Sequence, residues 1–159
     1  MTTIIEKDPS LYYEDLELEV KFSTPGRTIF ETDIVNFIAL TGMYEDLFCN
    51  LEYIRKDSAF KQRIAPGALT FIITMGLLVR TGLFEKSGLA LFGLNNVRWN
   101  VPVCPGDTVH AEGEVIGRRE TSDGQRGILT MRFQVKNQRD EVVMEYEHTE
   151  LIRKRPQGA

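Results

Sequence analysis

The chain has 159 residues, 42% hydrophobic and 26% charged, with 19 Lys plus Arg against 23 Asp plus Glu and a net charge of −4. Those proportions belong to a globular domain and exclude a disordered tail, a peptide scaffold and a multidomain machine. A chain of this length buries roughly 68–70% of the surface that its unfolded form exposes, enough for a core without disulfides or metal.

The mild acidity gives no general footprint for nucleic acid, which needs a basic patch. The one dense basic run, Arg153-Lys154-Arg155, reads as a solvated tail. Cys49 and Cys104 are not spaced as a CxxC pair and have no neighbouring histidine, so neither a zinc site nor a disulfide framework is expected. The N-terminus, MTTIIEKDPSLYYEDLE, lacks the basic start and apolar stretch of a signal peptide. The longest mainly apolar run, Ala68 to Val79, falls short of the ~20 residues that span a bilayer. A cytoplasmic protein that binds neither membrane nor nucleic acid is the expectation.

No repeat or Pro/Gly-rich linker divides the chain, which reads as a single domain over residues 1–159 with its core at about 12–153. The first 25 residues read as an extended lead-in that ends at Pro25-Gly26. Glu31 to Leu40 carries apolar residues at helical spacing, with Glu31 and Asp33 in the first turn, where acids suit the helix dipole, and Gly42 as a stop. Met43 to Arg63 has no clean period and reads as a short helix within a long excursion.

Ala65-Pro66-Gly67 then introduces a helix over Ala68 to Phe84. Through Val79 only Thr70 and Thr74 interrupt its apolar residues, so it is expected to be buried nearly all round, with a sheet wrapped about it. A charge at Met75 or Gly76 should then prevent folding. Beyond it, Val109, Ala111, Gly113 and Val115 alternate with His110, Glu112 and Glu114. Leu129, Met131, Phe133 and Val135 alternate with Thr130, Arg132, Gln134 and Lys136, and Val142, Met144 and Tyr146 with Val143, Glu145 and Glu147. Period two over successive segments predicts an antiparallel sheet with one buried face, its turns at Pro105-Gly106-Asp107, Ser122-Asp123-Gly124 and Asn137 to Asp140. The order is lead-in strand, helices, then about four strands: an α+β fold whose sheet curls round one central helix.

That architecture resembles the hot-dog fold, and four stretches resemble the MaoC-like dehydratases, the family of (R)-specific enoyl-CoA hydratases. They are Tyr13-Glu14-Asp15-Leu16 before Pro25-Gly26-Arg27-Thr28-Ile29, then Asp33 to Phe37 with Leu40-Thr41-Gly42, then Arg63-Ile64-Ala65 with Gly67, and finally Pro102-Val103 with Pro105-Gly106-Asp107-Thr108. The resemblance implies a site built across two protomers, and hydration of a trans-2-enoyl thioester by an Asp and a His in a D-x-N-P-[IL]-H stretch. It implies no cofactor beyond the coenzyme A thioester itself. Laid onto this chain, the Asp position is Met43 and the His position is Phe48, with Glu45 and Asp46 at the Asn and Pro positions. Neither Met nor Phe carries a proton, and Pro66 replaces the histidine that often precedes the helix glycine. Gly67 keeps a backbone N–H for a thioester oxygen.

The family resemblance therefore points to acyl-CoA metabolism, with two roles in competition. In one, the chain is a non-catalytic protomer that binds acyl-CoA, as a homodimer, a higher homo-oligomer or a heteromer with a catalytically complete hot-dog subunit. In the other, Glu45 or Asp46 serves as a substitute base or as a thioesterase carboxylate; the bland alternative for both acids is a solvated loop. Tyr44, Asn50, Arg63, Pro66, Ala68 and Arg98 are the candidate substrate contacts, with Arg80 and Asn100 as further candidates for a coenzyme A phosphate or a partner. Met43, Tyr44 and Phe48 read as core residues or as a wall over the lost water position. Cys49 reads as a small apolar residue, His110 as a surface histidine, His148 as a structural one, and Trp99 as packed on the sheet.

Overall fold

The computed structural model describes residues 11–156. A 3-10 turn at Tyr13–Asp15 leads into strands β1 (Lys21–Ser23) and β2 (Arg27–Thr28). Helices α1 (Glu31–Thr41), α2 (Asp46–Cys49), α3 (Leu51–Lys56) and α4 (Gly67–Arg80) follow, then strands β3 (Gly88–Trp99), β4 (Thr108–Glu120), β5 (Arg126–Lys136) and β6 (Val142–Arg153). The sheet is antiparallel in the order β1-β4-β5-β6-β3, with β2 also paired to β4. Residues 1–10 of the expected lead-in lie outside the described residues.

The alternation read in the sequence fixes the buried face. Val109, Ala111 and Val115 on β4 and Leu129, Met131, Phe133 and Val135 on β5 are all fully buried. On β6 the inward row is Met144, Tyr146, His148 and Ile152. Val143, expected on the outer face, is also buried: Val135 pairs with Met144 while Lys136 pairs with Val142, so Val143 is the extra residue of a bulge that turns it inward. Gly113 lies under the Phe22 ring, which meets Phe133 edge-on at 5.6 Å; a Cβ there would fall 2.5 Å from that ring.

Helix α1 ends at Gly42, whose φ of 75° is the left-handed conformation that closes a helix. The stretch after it holds two short helices rather than one. Helix α4 starts one residue earlier and ends four residues earlier than the apolar run suggests, because Gly82, at a φ of 73°, leaves the helical path. It buries Leu69, Thr70, Ile73, Thr74, Leu77 and Leu78 against the sheet. Thr74 is accommodated because its hydroxyl donates to the Thr70 carbonyl at 2.8 Å. The helix is not buried all round: Ala68, Ile72, Gly76 and Val79 share an open face, and Ile72 and Val79 are 55% and 76% exposed. Apolarity announced a surface to be covered, not that this chain covers it. Among the described residues no helix is long and apolar enough to cross a membrane.

Asp107 ties the loops together at one end of the sheet. It accepts from the Cys104 N–H at 2.8 Å, the Gln138 amide at 2.7 Å and the Arg139 guanidinium at 3.3 Å, while its carbonyl accepts from the Ile29 N–H at 2.8 Å. Burial alone would raise its carboxyl pKa, but those donors outweigh burial and hold it below the ordinary carboxylate range.

Three substitutions test this packing. Gly76→Glu, with nothing within 4 Å of the added Cβ, should unfold at the native temperature, correcting the expectation of failed folding. Leu77→Glu, at a site 1% exposed, should lose about 3–5 kcal/mol in the same thermal melt. Asp107→Asn should cost about 1–3 kcal/mol at neutral pH. Because the folded pKa is depressed, that contribution is complete above the unfolded carboxyl's ~3.9 and is lost as pH falls through the folded value. Urea titrations of both proteins at neutral and acid pH should therefore converge in acid.

Candidate functional site

The start of α4 is held by its flanking segments. The Ala65 N–H donates to the Val103 carbonyl at 2.7 Å, and the Asn100 N–H to the Val143 carbonyl at 2.9 Å. These two bonds bring the approach to α4, the end of β3 and the bulge of β6 around one hollow of about 450 Å³. Pro66 is the N-cap residue and has no side chain to cap the first turn. The first N–H groups of α4, at Gly67 and Ala68, have no intrahelical acceptor and carry the positive end of the helix dipole.

The walls of the hollow include Phe60, Ile64, Trp99, Val101, Val103 and Val143, with Thr70 and Asn100 as the polar side chains. Its described lining contains no Asp, Glu, His, Lys, Arg or Cys. Trp99, expected to pack on the sheet, is 56% exposed, and its indole lies over Gly67, where a Cβ would fall 2.6 Å from Nε1. Only glycine lets the ring come this close to the first turn.

Of the residues singled out in the sequence, Gly67, Ala68, Trp99 and Asn100 meet at this hollow. The others lie elsewhere. Phe48 is buried in the main core and Met43 packs against it. Glu45 and Asp46 are exposed and line a separate hollow of about 440 Å³ with Tyr53 and Asp57. Phe60 is the wall common to both hollows. Asp46 accepts from the Asn50 amide at 3.3 Å, and Asn50 caps α3 by accepting from the Tyr53 N–H at 3.1 Å.

Tyr44 is 69% exposed and lines neither hollow. Arg63 pairs with Glu31 at 3.0 Å, at the start of α1, and so is committed within the chain. Arg98 is exposed on β3 opposite Glu145. His110 lies 3.7 Å from Glu112 on the outer face of β4. Cys49 is exposed, whereas burial pushes the Cys104 thiol up and away from nucleophilic character. Phe60, Val101 and Val143 were not anticipated; the available signal was an apolar cluster on each side of the Pro66-Gly67 turn.

Trp99 is the single tryptophan of the chain and so reports on this site directly. Gly67→Ala should drive the indole off the helix start, red-shifting its emission and increasing acrylamide quenching while the protein stays folded. An unchanged spectrum would contradict the close approach.

The hollow at the helix start can be set beside known proteins. The MaoC like domain matches residues 15–138. The β-methylmalyl-CoA dehydratase of Chloroflexus aurantiacus is 30% identical over 154 residues, 96% of this chain and 43% of the relative, so the chain spans under half the length of that curated protein. The monoamine oxidase regulatory protein of Archaeoglobus fulgidus superposes with a TM-score of 0.84 at 32% identity, covering 98% of this chain and 99% of the other. A Mycobacterium tuberculosis protein described as a double hotdog fold shares the architecture, with a TM-score of 0.80 at 18% identity over 94% of this chain and 46% of its own. The chain belongs to the MaoC-like domain family and has its hot-dog fold.

Proposed function

We propose that this chain binds an acyl-CoA thioester at the start of α4 and acts as a non-catalytic or partner-dependent protomer of a hydratase. One observation carries the reading: the hollow there joins a helix N-terminus to apolar walls and offers no ionisable side chain among its described lining. A thioester carbonyl would accept from the Gly67 and Ala68 N–H groups, where the helix dipole favours partial negative charge. The volume of about 450 Å³ suits an acyl segment rather than a whole coenzyme. Hydrating an enoyl group further requires a base to take a proton from water and an acid to supply one to carbon. Met43 and Phe48, at the positions that the family resemblance equates with that pair, can do neither. The related dehydratase is named for a coenzyme A thioester, which supports the ligand class.

The thioesterase alternative draws no support from the geometry. Glu45 and Asp46 sit beyond Phe60, in the other hollow. A partner, whether a second copy or a complete hot-dog subunit, is favoured by what the described residues leave uncovered: the Ile72 and Val79 face of α4 and the apolar edge strand β3, with Phe92 61% exposed.

Titration of the purified chain with a short trans-2-enoyl-CoA tests both halves of the reading. Trp99 emission should change saturably while enoyl absorbance stays constant, and Glu45→Gln and Asp46→Asn should leave any thioester cleavage unaltered. Hydration by the chain alone at enzymatic rates would overturn the non-catalytic role. A silent Trp99 would overturn the binding site.

A further inference from the structure

A cavity larger than the hollow at the helix start lies at the other end of α4. It has a volume of about 820 Å³ and is bounded by the last turns of the helix, the loop at residues 81–86, the start of β3 and the inward face of β6. Its wall includes Met75, Leu78, Leu83, Phe84, Leu89 and Leu91; its inner polar side chains are His148 and Glu150 on β6, while Arg80, Glu85 and Lys86 stand at its exposed rim. These two stand on the same face of β6, two residues apart.

His148 is fully buried, yet neither of its ring nitrogens has a hydrogen-bond partner. Glu150 is 14% exposed, with Oε2 3.2 Å from His148 Nε2 but outside the angle of a hydrogen bond. Leu94 and Met131 are the cross-strand neighbours of His148, and the Phe133 ring lies 5.8 Å from its own, so the sheet supplies it with apolar company. A second feature makes room for the carboxylate: at residue 88 any Cβ would fall 2.8 Å from Glu150 Oε1, and glycine stands there. A buried imidazole with both nitrogens unpaired is rare in a folded protein and calls for a bound group that completes it.

We propose that this cavity is a second ligand site, whose occupant is a small aliphatic molecule carrying a hydroxyl group held by His148 and Glu150. The chemistry selects the head group. A carboxylate only accepts, and a neutral imidazole offers one N–H and one lone pair. A hydroxyl bridges this pair with a single oxygen: it donates to Glu150 and accepts from the imidazole N–H. At this inner pair a carboxylate head meets the Glu150 charge, the cations Arg80 and Lys86 standing instead at the exposed rim, and an ammonium head leaves the imidazole N–H without an acceptor. The leucine, methionine and phenylalanine walls take the aliphatic body. A free alcohol and a hydroxylated acyl chain share this chemistry. The site is independent of the thioester reading, because Trp99 and Gly67 line the other hollow.

The chain has two histidines, so selective 15N-imidazole labelling gives two sets of ring signals, with His110 on the outer face as the internal control. Titration with 1-hexanol, hexanoate or hexylamine should shift the His148 nitrogens saturably for the alcohol alone and leave His110 and Trp99 emission unmoved. Glu150→Gln should weaken hexanol binding about tenfold, the worth of one hydrogen bond to a charged group, and leave the fold intact. Gly88→Ala, which crowds the carboxylate, should weaken it too. Tighter binding of the amine or the carboxylate would overturn the hydroxyl assignment. No saturable response from His148 to any of the three would overturn the site. A His148 signal that moves with protein concentration and ignores hexanol would assign the cavity to a second copy of the chain and overturn the proposal as well.

Discussion

Helix α4 lies with Leu69, Ile73, Leu77 and Leu78 against the inward residues of β4, β5 and β6, and this contact fixes the position of both cavities. Each buried leucine or isoleucine contributes about 1.5–3 kcal/mol relative to exposure, so the helix cannot shift or roll without a large loss. The Phe71 ring meets Tyr146 edge-on at 5.2 Å, and Tyr146 stacks on Phe133 at 4.9 Å, locking the rotation of α4 against β5 and β6. The hollow at the start of the helix is then lined by Val143 at the β6 bulge, and the cavity at its end by Glu150. Both sites are consequences of where one apolar stripe had to go.

Much of this was legible in the sequence because it rests on periodicity. The two-residue alternation of β4 and β5 was explicit, and so was the parity that groups Tyr146 with Met144 on β6. Strand β3 was not legible as a strand: its first seven residues, Gly88 to Leu94, are apolar on both faces, and it carries three register shifts against β6, with Asn96 at a positive φ of 53°. The bulge at Val143 was hidden for a related reason, since an inserted residue breaks parity without altering composition. The site was only half legible. Pro66-Gly67 marked a helix start with free N–H groups, but the indole over Gly67 and the Phe60 wall depend on contacts between segments about thirty residues apart or more. Proximity in sequence also misled: Glu45 and Asp46 stand beside Phe48 in the chain, yet Phe48 turns into the core and they turn to solvent.

The two ends of α4 differ in chemistry, and the helix itself is part of the reason. Fourteen residues place the ends about 20 Å apart. At the start, unpaired N–H groups and an apolar surround favour a carbonyl oxygen, with no side-chain charge to compete. At the end, the Thr81 N–H already takes the Leu78 carbonyl and the Gly82 N–H the Val79 carbonyl, at 3.1 and 3.0 Å. The last turn therefore presents few free acceptors, and recognition passes to side chains on β6. In the two proposals one end would work through backbone and the other through an imidazole and a carboxylate, so a substitution on β6 would alter the second without disturbing the first.

An acid/base-free hollow and an uncovered sheet edge belong to the same description of the chain. Natural edge strands are blunted by charge, proline or brevity. Here the edge runs for 12 residues and Arg98 is its one charged side chain. Its last residue is Trp99, whose ring forms part of the hollow at Gly67. In the partner-dependent reading, a subunit docked along this edge would lie beside Trp99, and the open Ile72 and Val79 face of α4 would meet the same subunit. Any proton-carrying group reaching the helix start from outside the chain would then arrive past the indole, which makes Trp99 the boundary between what this chain supplies, a carbonyl cradle with apolar walls, and what a partner would have to add.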